Sequence, residues 1–99
     1  MNIHKLLKKF NMPVAYMKFK EKQKLPYIVY YSNGSNNFIA EDIVYYNKYN
    51  YTIEYYYDKK KTSVEKEIEN IFNENEVLWE KTEDIYVSSE NIYLIKYFI

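Results

Sequence analysis

The segment Asn50-Tyr51-Thr52-Ile53-Glu54-Tyr55-Tyr56-Tyr57-Asp58 decides the fold. Its side chains alternate between two faces, because successive residues of an extended strand point to opposite sides of a sheet. One face carries Tyr51, Ile53, Tyr55 and Tyr57, and the other carries Thr52, Glu54 and Tyr56. A face made of tyrosines and an isoleucine has to be covered by other parts of the chain. Residues 50–58 are therefore predicted to be the central strand of one small α+β domain.

The length and the absence of cysteine indicate one domain without disulfides. The 99 residues supply one hydrophobic core and not a second, so residues 1–99 are predicted to be a single domain. Without cysteine, neither a disulfide framework nor a thiolate metal site is available. Lysines interrupt residues 1–10, which therefore lack the apolar region of a signal peptide, and no apolar run approaches the ~20 residues of a membrane span. We expect a soluble protein made in the cytoplasm.

The charge balance argues against nucleic acid and anionic membranes as partners. The 14 basic residues balance 14 acidic residues, so the chain has no net charge. All the basic residues are lysines, and without arginine there is no rigid fork for phosphate or guanine. The 14 tyrosines and 5 phenylalanines exceed what the interior of so short a chain can hold. Several tyrosines are therefore expected on the surface, where they favour interfaces.

Two segments show helical periodicity. The apolar stripes are Ile3, Leu6, Leu7 and Phe10 in the first segment and Val64, Ile68, Ile71 and Phe72 in the second. Asn11 and Pro13 end the first helix. Thr62 and Glu65 have capping-box spacing, which predicts that the second helix begins there. The acidic residues of the second helix are interpreted as a solvated face.

The remaining apolar segments are typical of strands. Residues 14–19 alternate weakly and indicate a short edge strand, and residues 27–31, 38–46, 77–87 and 92–99 indicate further strands. Residues 38–46 are predicted to form a hairpin with the central strand. Residues 27–31 and 92–99 are apolar on both faces, so they are covered on both sides within the monomer or on one side by another copy. The predicted order is α-β-β-β-α-β-β, a mostly antiparallel sheet of four to five strands with both helices on one face.

Catalytic constellations are missing from the sequence. The only histidine, His4, lies on the polar side of the first helix and has no catalytic or metal-binding neighbours. Glu41, Asp42 and Glu54 are the best candidates for a carboxylate site, but nothing in the pattern places Glu41 or Asp42 beside Glu54. We predict a protein without enzymatic activity, cofactor or metal.

A single-stranded nucleic-acid-binding module is the alternative function. Tyr30, Tyr46 and Tyr56, together with Lys48, are candidates for a platform on which bases stack. The zero net charge and the absence of the Gly-aromatic-Gly pattern of RNA-recognition sheets argue against it. Stacked tyrosines are more simply interpreted as packing partners.

The chain resembles the small structural proteins of long-tailed phages and prophages, of the tail-completion type that includes tail terminators and head–tail joining proteins. Seven stretches carry the resemblance, in order along nearly the whole chain. They are Pro13-Val14-Ala15-Tyr16, residues 25–30 (LPYIVY), residues 35–42 (SNNFIAED), Val44-Tyr45-Tyr46, residues 53–57 (IEYYY), the helical residues 65–69 and the turn at residues 86–90 (YVSSE). Residues 21–24 and Asn11-Met12 depart from the pattern in their loop chemistry.

The resemblance implies a structural protein that forms a homo-oligomeric ring, a hexamer, at the head-proximal end of the tail. Its implied partners are copies of itself and phage tail-tube and head-connector proteins, with no membrane and no specific nucleic acid. Its implied location is a virion or a tail-like particle, after synthesis in the bacterial host cytoplasm. We expect the second face of the sheet or its edge strands to contact the next subunit, and the loop at residues 32–37 to contact the tail. The interface candidates are Tyr30, Asn33, Ser35, Asn36, Asn37, Tyr46 and Tyr56.

Overall fold

The structure is a computed structural model that describes residues 2–34 and 49–99. In these residues the elements follow in the order α1 (Ile3–Leu7), β1 (Val14–Tyr16), β2 (Tyr27–Ser32), β3 (Tyr51–Tyr57), α2 (Thr62–Glu74), β4 (Glu80–Lys81), β5 (Ile85–Val87) and β6 (Ile92–Phe98). The α+β class is confirmed. Over residues 2–34 and 49–99 the sheet has six strands rather than the predicted four to five.

The strand order in the sheet is β1-β2-β3-β6-β4, and β5 also pairs with β6. The β1–β2 pair is parallel and the other pairs are antiparallel. β3 is central as predicted, since Tyr56 lies opposite Tyr27 of β2 on one side and Leu94 of β6 on the other. Within the described residues, the neighbours of β3 are therefore β2 and β6, and the predicted hairpin is not tested. Its partner strand, residues 38–46, lies outside the described residues, as do Glu41 and Asp42.

Both helices cover the same face of the sheet, which we call the helix face. The buried core consists of Ile3, Leu6, Leu7, Phe10, Ile28, Ile53, Tyr55, Tyr57, Ile68, Phe72, Ile95, Tyr97 and Ile99. Residues of both predicted helical stripes and of the predicted apolar face of β3 are among them, so the face that the helices cover is confirmed. The first helix ends at Leu7, earlier than the predicted end at Asn11 and Pro13, and Phe10 enters the core from the turn after it. The opposite face, which we call the far face, carries Thr52, Glu54 and Tyr56 of β3.

The second helix begins at Thr62 as predicted, but without the predicted capping box. Thr62 is already helical, and the N-cap is Lys61, which makes no side-chain cap hydrogen bond. Glu65 is buried and pairs with Lys60, at 2.8 Å, instead of bonding back to the helix N-terminus. The capping-box prediction is wrong because the Glu65 carboxylate is engaged with lysines outside the helix.

The strand predicted over residues 77–87 is divided into β4 and β5. Lys81 lies opposite Tyr97 and Ile85 lies opposite Leu94, so one extra residue is accommodated between the two short strands. This arrangement is a β-bulge. Thr82 bridges it: its N–H donates to the Lys96 carbonyl (2.9 Å), and its Oγ1 accepts from the Lys96 N–H (3.1 Å). The hydroxyl thus replaces a backbone acceptor of the ladder.

Replacing Thr82 by valine is expected to lower the free energy of unfolding by about 1–2 kcal/mol, because the Lys96 N–H loses its acceptor while the β-branched shape is kept. The measurement is the midpoint of urea unfolding at an unchanged m-value. Thr62→Val is the matched control, since Thr62 is exposed, and it should change stability by less than about 0.5 kcal/mol. Equal effects of the two substitutions would contradict the bridging role of Thr82.

Candidate interaction surfaces

Glu54 occupies the middle of the far face and has three polar neighbours. The Tyr56 hydroxyl donates to Oε1 (2.9 Å), and the Tyr31 hydroxyl donates to Oε2 (3.2 Å). Lys96 Nζ lies 3.7 Å from Oε2. The predicted placement of Glu54 on the polar face of its strand is confirmed. Its neighbours in this cluster are two phenols and an ammonium group rather than a second carboxylate. The cluster is therefore a set of internal hydrogen bonds and one ion pair, not a two-carboxylate site.

Tyr56 and Tyr27 stack on each other beside Glu54. Their ring centroids are 5.0 Å apart at an interplanar angle of 26°. Phe19 packs edge-on against Tyr27, with centroids 5.2 Å apart. Burial raises the pKa of Tyr56, and the hydrogen bond to Glu54 raises it further; burial, followed by the charge of Glu90, raises the pKa of Tyr27. The two phenols are therefore neutral packing partners at physiological pH.

A groove of about 1240 Å³ runs over the far face next to this stack. Residues 17–25 form one wall, residues 88–91 form the other, and the floor is formed by the sheet. The floor residues are Tyr27, Val29, Tyr56 and Ile92, and the lysines of the first wall are Lys18, Lys20, Lys22 and Lys24. We call this feature the far-face groove.

Tyr30 lies on the helix face, opposite to Tyr56. It pairs in register with Ile53, and its half-buried ring packs against Tyr16 (centroids 5.1 Å apart) and Tyr51 (6.5 Å). Tyr27, which lies opposite Tyr56, is three positions before Tyr30 in β2, and an odd separation places two residues of a strand on opposite faces. The structure therefore does not bring Tyr30 and Tyr56 together on one surface, and Tyr46 and Lys48, the other members of the predicted stacking platform, lie outside the described residues.

Asn33 is engaged in internal hydrogen bonds. Thr52 Oγ1 donates to Asn33 Oδ1 (2.6 Å), and Asn33 Nδ2 donates to the Tyr49 carbonyl (3.3 Å). Gly34 follows with a φ of 90°, a conformation that glycine adopts readily. Asn33 thus anchors the chain leaving β2. The other candidates of this loop, Ser35, Asn36 and Asn37, lie outside the described residues.

The two ends of the strand order present exposed apolar side chains. At the β1 end, Tyr16 is 53% exposed and Met17 is 59% exposed. At the β5 end, the exposed fractions are 52% for Tyr86, 38% for Tyr93 and 37% for Ile85. We call these the β1 edge and the β5 edge. None of these residues was among the sequence-based candidates, although the weakly alternating edge strand predicted at residues 14–19 was a signal for the first.

A network of ion pairs joins α2 to the β4–β5 side of the sheet. Lys81 Nζ lies 2.7 Å from Glu69 Oε2 and 3.6 Å from Glu65 Oε1. Lys60 Nζ lies 2.8 Å from Glu65 Oε2 and 2.9 Å from Asp84 Oδ1. Glu65 is buried, and the Glu69 side chain is only 17% exposed and is paired with Lys81, so the interpretation of the acidic residues as a solvated face is wrong for both. The helix turns these carboxylates toward the lysines.

Buried tyrosines complete the network. The Tyr97 hydroxyl donates to Glu69 Oε2 (2.8 Å), and the Tyr57 hydroxyl donates to Asp84 Oδ1. Burial raises the pKa of Tyr97, and the bond to Glu69 adds to the effect. The hydrogen bond to Glu69 also raises the pKa of Lys81. Tyr97 and Lys81 therefore keep their protons at physiological pH, and the network is structural.

Comparisons of this chain with family models, curated proteins and solved structures found no match. Within residues 2–34 and 49–99, no group of three or more His, Asp or Glu side chains is arranged to hold a metal ion. Over the same residues, neither helix has the length and apolar character required to cross a membrane.

Proposed function

We propose that the protein is a non-enzymatic structural subunit that assembles head to tail into a ring, and that the ring acts at the head-proximal end of a phage or prophage tail. The resemblance of the seven sequence stretches suggests this setting. The observation that carries the proposal is the presence of exposed aromatic side chains at both ends of the sheet, at the β1 edge and the β5 edge.

The two edges are chemically different surfaces at opposite ends of the strand order. A contact between the β1 edge of one copy and the β5 edge of the next is heterologous, because each subunit contributes a different patch. Heterologous contacts produce rings when the rotation between subunits closes. Every subunit in a closed ring buries both of its edges.

The β1 edge also offers backbone groups for association. The Pro13 carbonyl accepts from the Ile28 N–H (2.9 Å), and the Met17 N–H donates to the Tyr30 carbonyl (2.8 Å). The backbone groups of the residues between them alternate in direction, so those of Val14 and the N–H of Tyr16 are turned away from β2. The Tyr16 carbonyl accepts from the Lys18 N–H (2.7 Å). Edge strands of this kind accept a further strand.

The aromatic residues suit the centre of each contact. Specific interfaces bury about 800 Å² per partner, with aromatic side chains enriched in the centre and polar residues at the rim. Tyr16 and Met17 on one edge, and Tyr86 and Tyr93 on the other, supply such centres. The polar residues around them, such as Lys18 and Glu83, are exposed and are available as the rim.

Tyr16→Ser and Tyr86→Ser are each expected to abolish ring assembly while leaving the fold intact, because both side chains are more than half exposed. The measurements are light scattering for mass and circular dichroism for fold. Leu78→Ser is the matched control, since Leu78 is 80% exposed but lies outside both edges, and it should leave assembly unchanged.

Mixing the two variants tests the head-to-tail arrangement. Tyr16→Ser keeps an intact β5 edge, and Tyr86→Ser keeps an intact β1 edge. An equimolar mixture should therefore give a one-to-one dimer and nothing larger. A dimer formed by either variant alone would show a symmetric contact and would contradict the proposal, as would an equal loss of assembly in Leu78→Ser.

The geometry gives less support to a single-stranded nucleic-acid-binding module. Base stacking needs open ring faces, whereas Tyr27 and Tyr56 cover each other and Tyr30 lies on the opposite face. The lysines of the far-face groove would suit an anionic strand. An acidic polypeptide explains them better, as argued below.

A further inference from the structure

We infer that the far-face groove binds an extended, acidic segment of a polypeptide. The site adjoins the β1 edge, with which it shares Met17 and Lys18, and it includes none of the β5-edge residues. It is contained within one subunit and takes a different ligand, so the inference goes beyond ring assembly.

The wall at residues 17–25 has two sides with different chemistry. Phe19, Gln23 and Leu25 are half-buried toward the protein, and the lysines between and beside them are exposed. These exposed residues are Lys18, Lys20, Lys22 and Lys24. The wall thus holds its apolar side against the domain and presents a row of ammonium groups along the groove.

The charge of the groove is locally positive although the chain as a whole is neutral. Four lysines line it, against two carboxylates, Glu21 and Glu90. No ion pair joins the groove lysines to another described residue; this also holds for exposed lysines outside the groove, such as Lys5 and Lys59, so what sets the groove apart is that four lysines line one surface. This excess of positive charge is complementary to an acidic ligand.

The floor of the groove is apolar and aromatic: the half-buried rings of Tyr27 and Tyr56 supply most of its accessible surface, while Val29 and Ile92 are buried. An extended polypeptide suits this combination, since its side chains alternate between two sides. Acidic residues on one side reach the lysines while apolar residues on the other contact the floor. The volume of about 1240 Å³ exceeds the ~300–1,000 Å³ of pockets for small ligands, which favours a polymer segment.

The stack of Tyr27 on Tyr56 favours a peptide over a nucleic acid as the ligand. One face of the Tyr27 ring meets Tyr56, and Phe19 packs edge-on against the same ring. The Tyr56 hydroxyl already donates to the Glu54 carboxylate, so this donor is not available to a phosphate. A peptide does not require an open ring face, because its aliphatic and aromatic side chains can pack against the edges of the stacked rings.

The test is fluorescence anisotropy with a labelled peptide of about twelve residues that repeats Asp-Leu-Glu-Phe. Two further probes are the same peptide with Asn and Gln in place of Asp and Glu, and an oligothymidylate of about twelve nucleotides. The protein is expected to bind the acidic peptide more tightly than either, with an affinity that falls as salt is added.

Replacing Lys18, Lys20, Lys22 and Lys24 together by glutamine should weaken binding of the acidic peptide about tenfold or more, since each exposed charge pair contributes modestly. The matched control replaces Lys5, Lys8, Lys59 and Lys61, which are also exposed, and changes the net charge equally. Binding should be the same in wild type and in the Tyr86→Ser variant, so failure of the groove is distinguishable from failure of the ring.

Three results would overturn the inference. The first is equal affinity for the acidic and the neutral peptide, and the second is an equal loss of affinity in the two quadruple variants. The third is tighter binding of the oligothymidylate with a steep salt dependence, which would assign the groove to a nucleic acid.

Discussion

Replacing Phe72 by alanine is expected to lower the free energy of unfolding by about 3–5 kcal/mol. The Phe72 side chain is fully buried. Its ring lies 5.8 Å from Phe10, 5.5 Å from Tyr97 and 6.4 Å from Trp79, measured between centroids. It therefore joins the turn that follows α1, the sheet and the segment leading into β4. Alanine would leave a cavity among groups held by three different parts of the chain, and such a site relaxes poorly.

The loss is large compared with the ~5–15 kcal/mol that stabilises a typical domain. Urea unfolding followed by circular dichroism measures it. Phe19→Ala provides the control, because Phe19 is half-exposed on the groove wall, and its expected cost is below about 1.5 kcal/mol. A similar, small effect at both positions would contradict the central place of Phe72 in the core.

Raising the pH above about 10 is expected to remove a large part of the stability. Burial raises the pKa of Tyr55 from 10.0 to about 12. Burial also raises the pKa values of Tyr56 and Tyr97, with hydrogen bonds to Glu54 and Glu69 as the next causes. Because the folded pKa values exceed the unfolded ones, the stabilisation is complete below pH 10 and is lost as the pH rises through the folded values.

The contributions of these buried groups to the loss of stability at high pH add together. For Tyr55, the difference in pKa corresponds to about 2–3 kcal/mol. The pKa of Lys81 is raised from 10.5 by its bond to Glu69, so this ion pair is also lost as the pH rises. Alkaline unfolding should therefore follow from several buried groups at once.

The measurement is the urea midpoint at a series of pH values between about 8 and 12. The double variant Tyr56→Phe with Tyr97→Phe should show a flatter profile than wild type above pH 10, because two of the titrating groups are gone. Tyr16→Phe removes a phenol that is half exposed and should leave the profile as in wild type. A wild-type midpoint independent of pH over this range would contradict the assigned burial of these hydroxyls.

Periodicity explains which parts of the fold are predictable from the sequence. The alternation over residues 50–58 correctly predicts both the central strand and the two faces of β3, because the pattern has one strong interpretation. The stripes around Leu6 and Ile68 likewise predict the two helices and the face that they cover. These signals are local and repeat over several residues.

The face of Tyr30 had no such signal. Every residue from Tyr27 to Tyr31 is aromatic or β-branched, so the pattern does not show which side chains share a face with Tyr56. Only the pairing of Tyr30 with Ile53 determines it. The β-bulge at Thr82 depends in the same way on the register with β6, which local sequence does not encode.

The ion-pair network and the far-face groove depend on contacts between distant segments. Lys81 meets Glu69 only because β4 adds to the outer side of β6, next to α2. The row of lysines in residues 17–25 is visible in the sequence and is typical of a solvated loop. Its position along an apolar floor follows from the fold.

The mass of the wild-type protein in solution, across a concentration series and with or without purified tail tubes, tests the ring assembly most directly. The account predicts a single closed species, the expected hexamer of the 12.2 kDa chain, whose share rises with concentration or on addition of tail tubes. A monomer under every condition, or an open-ended series of masses, would contradict it.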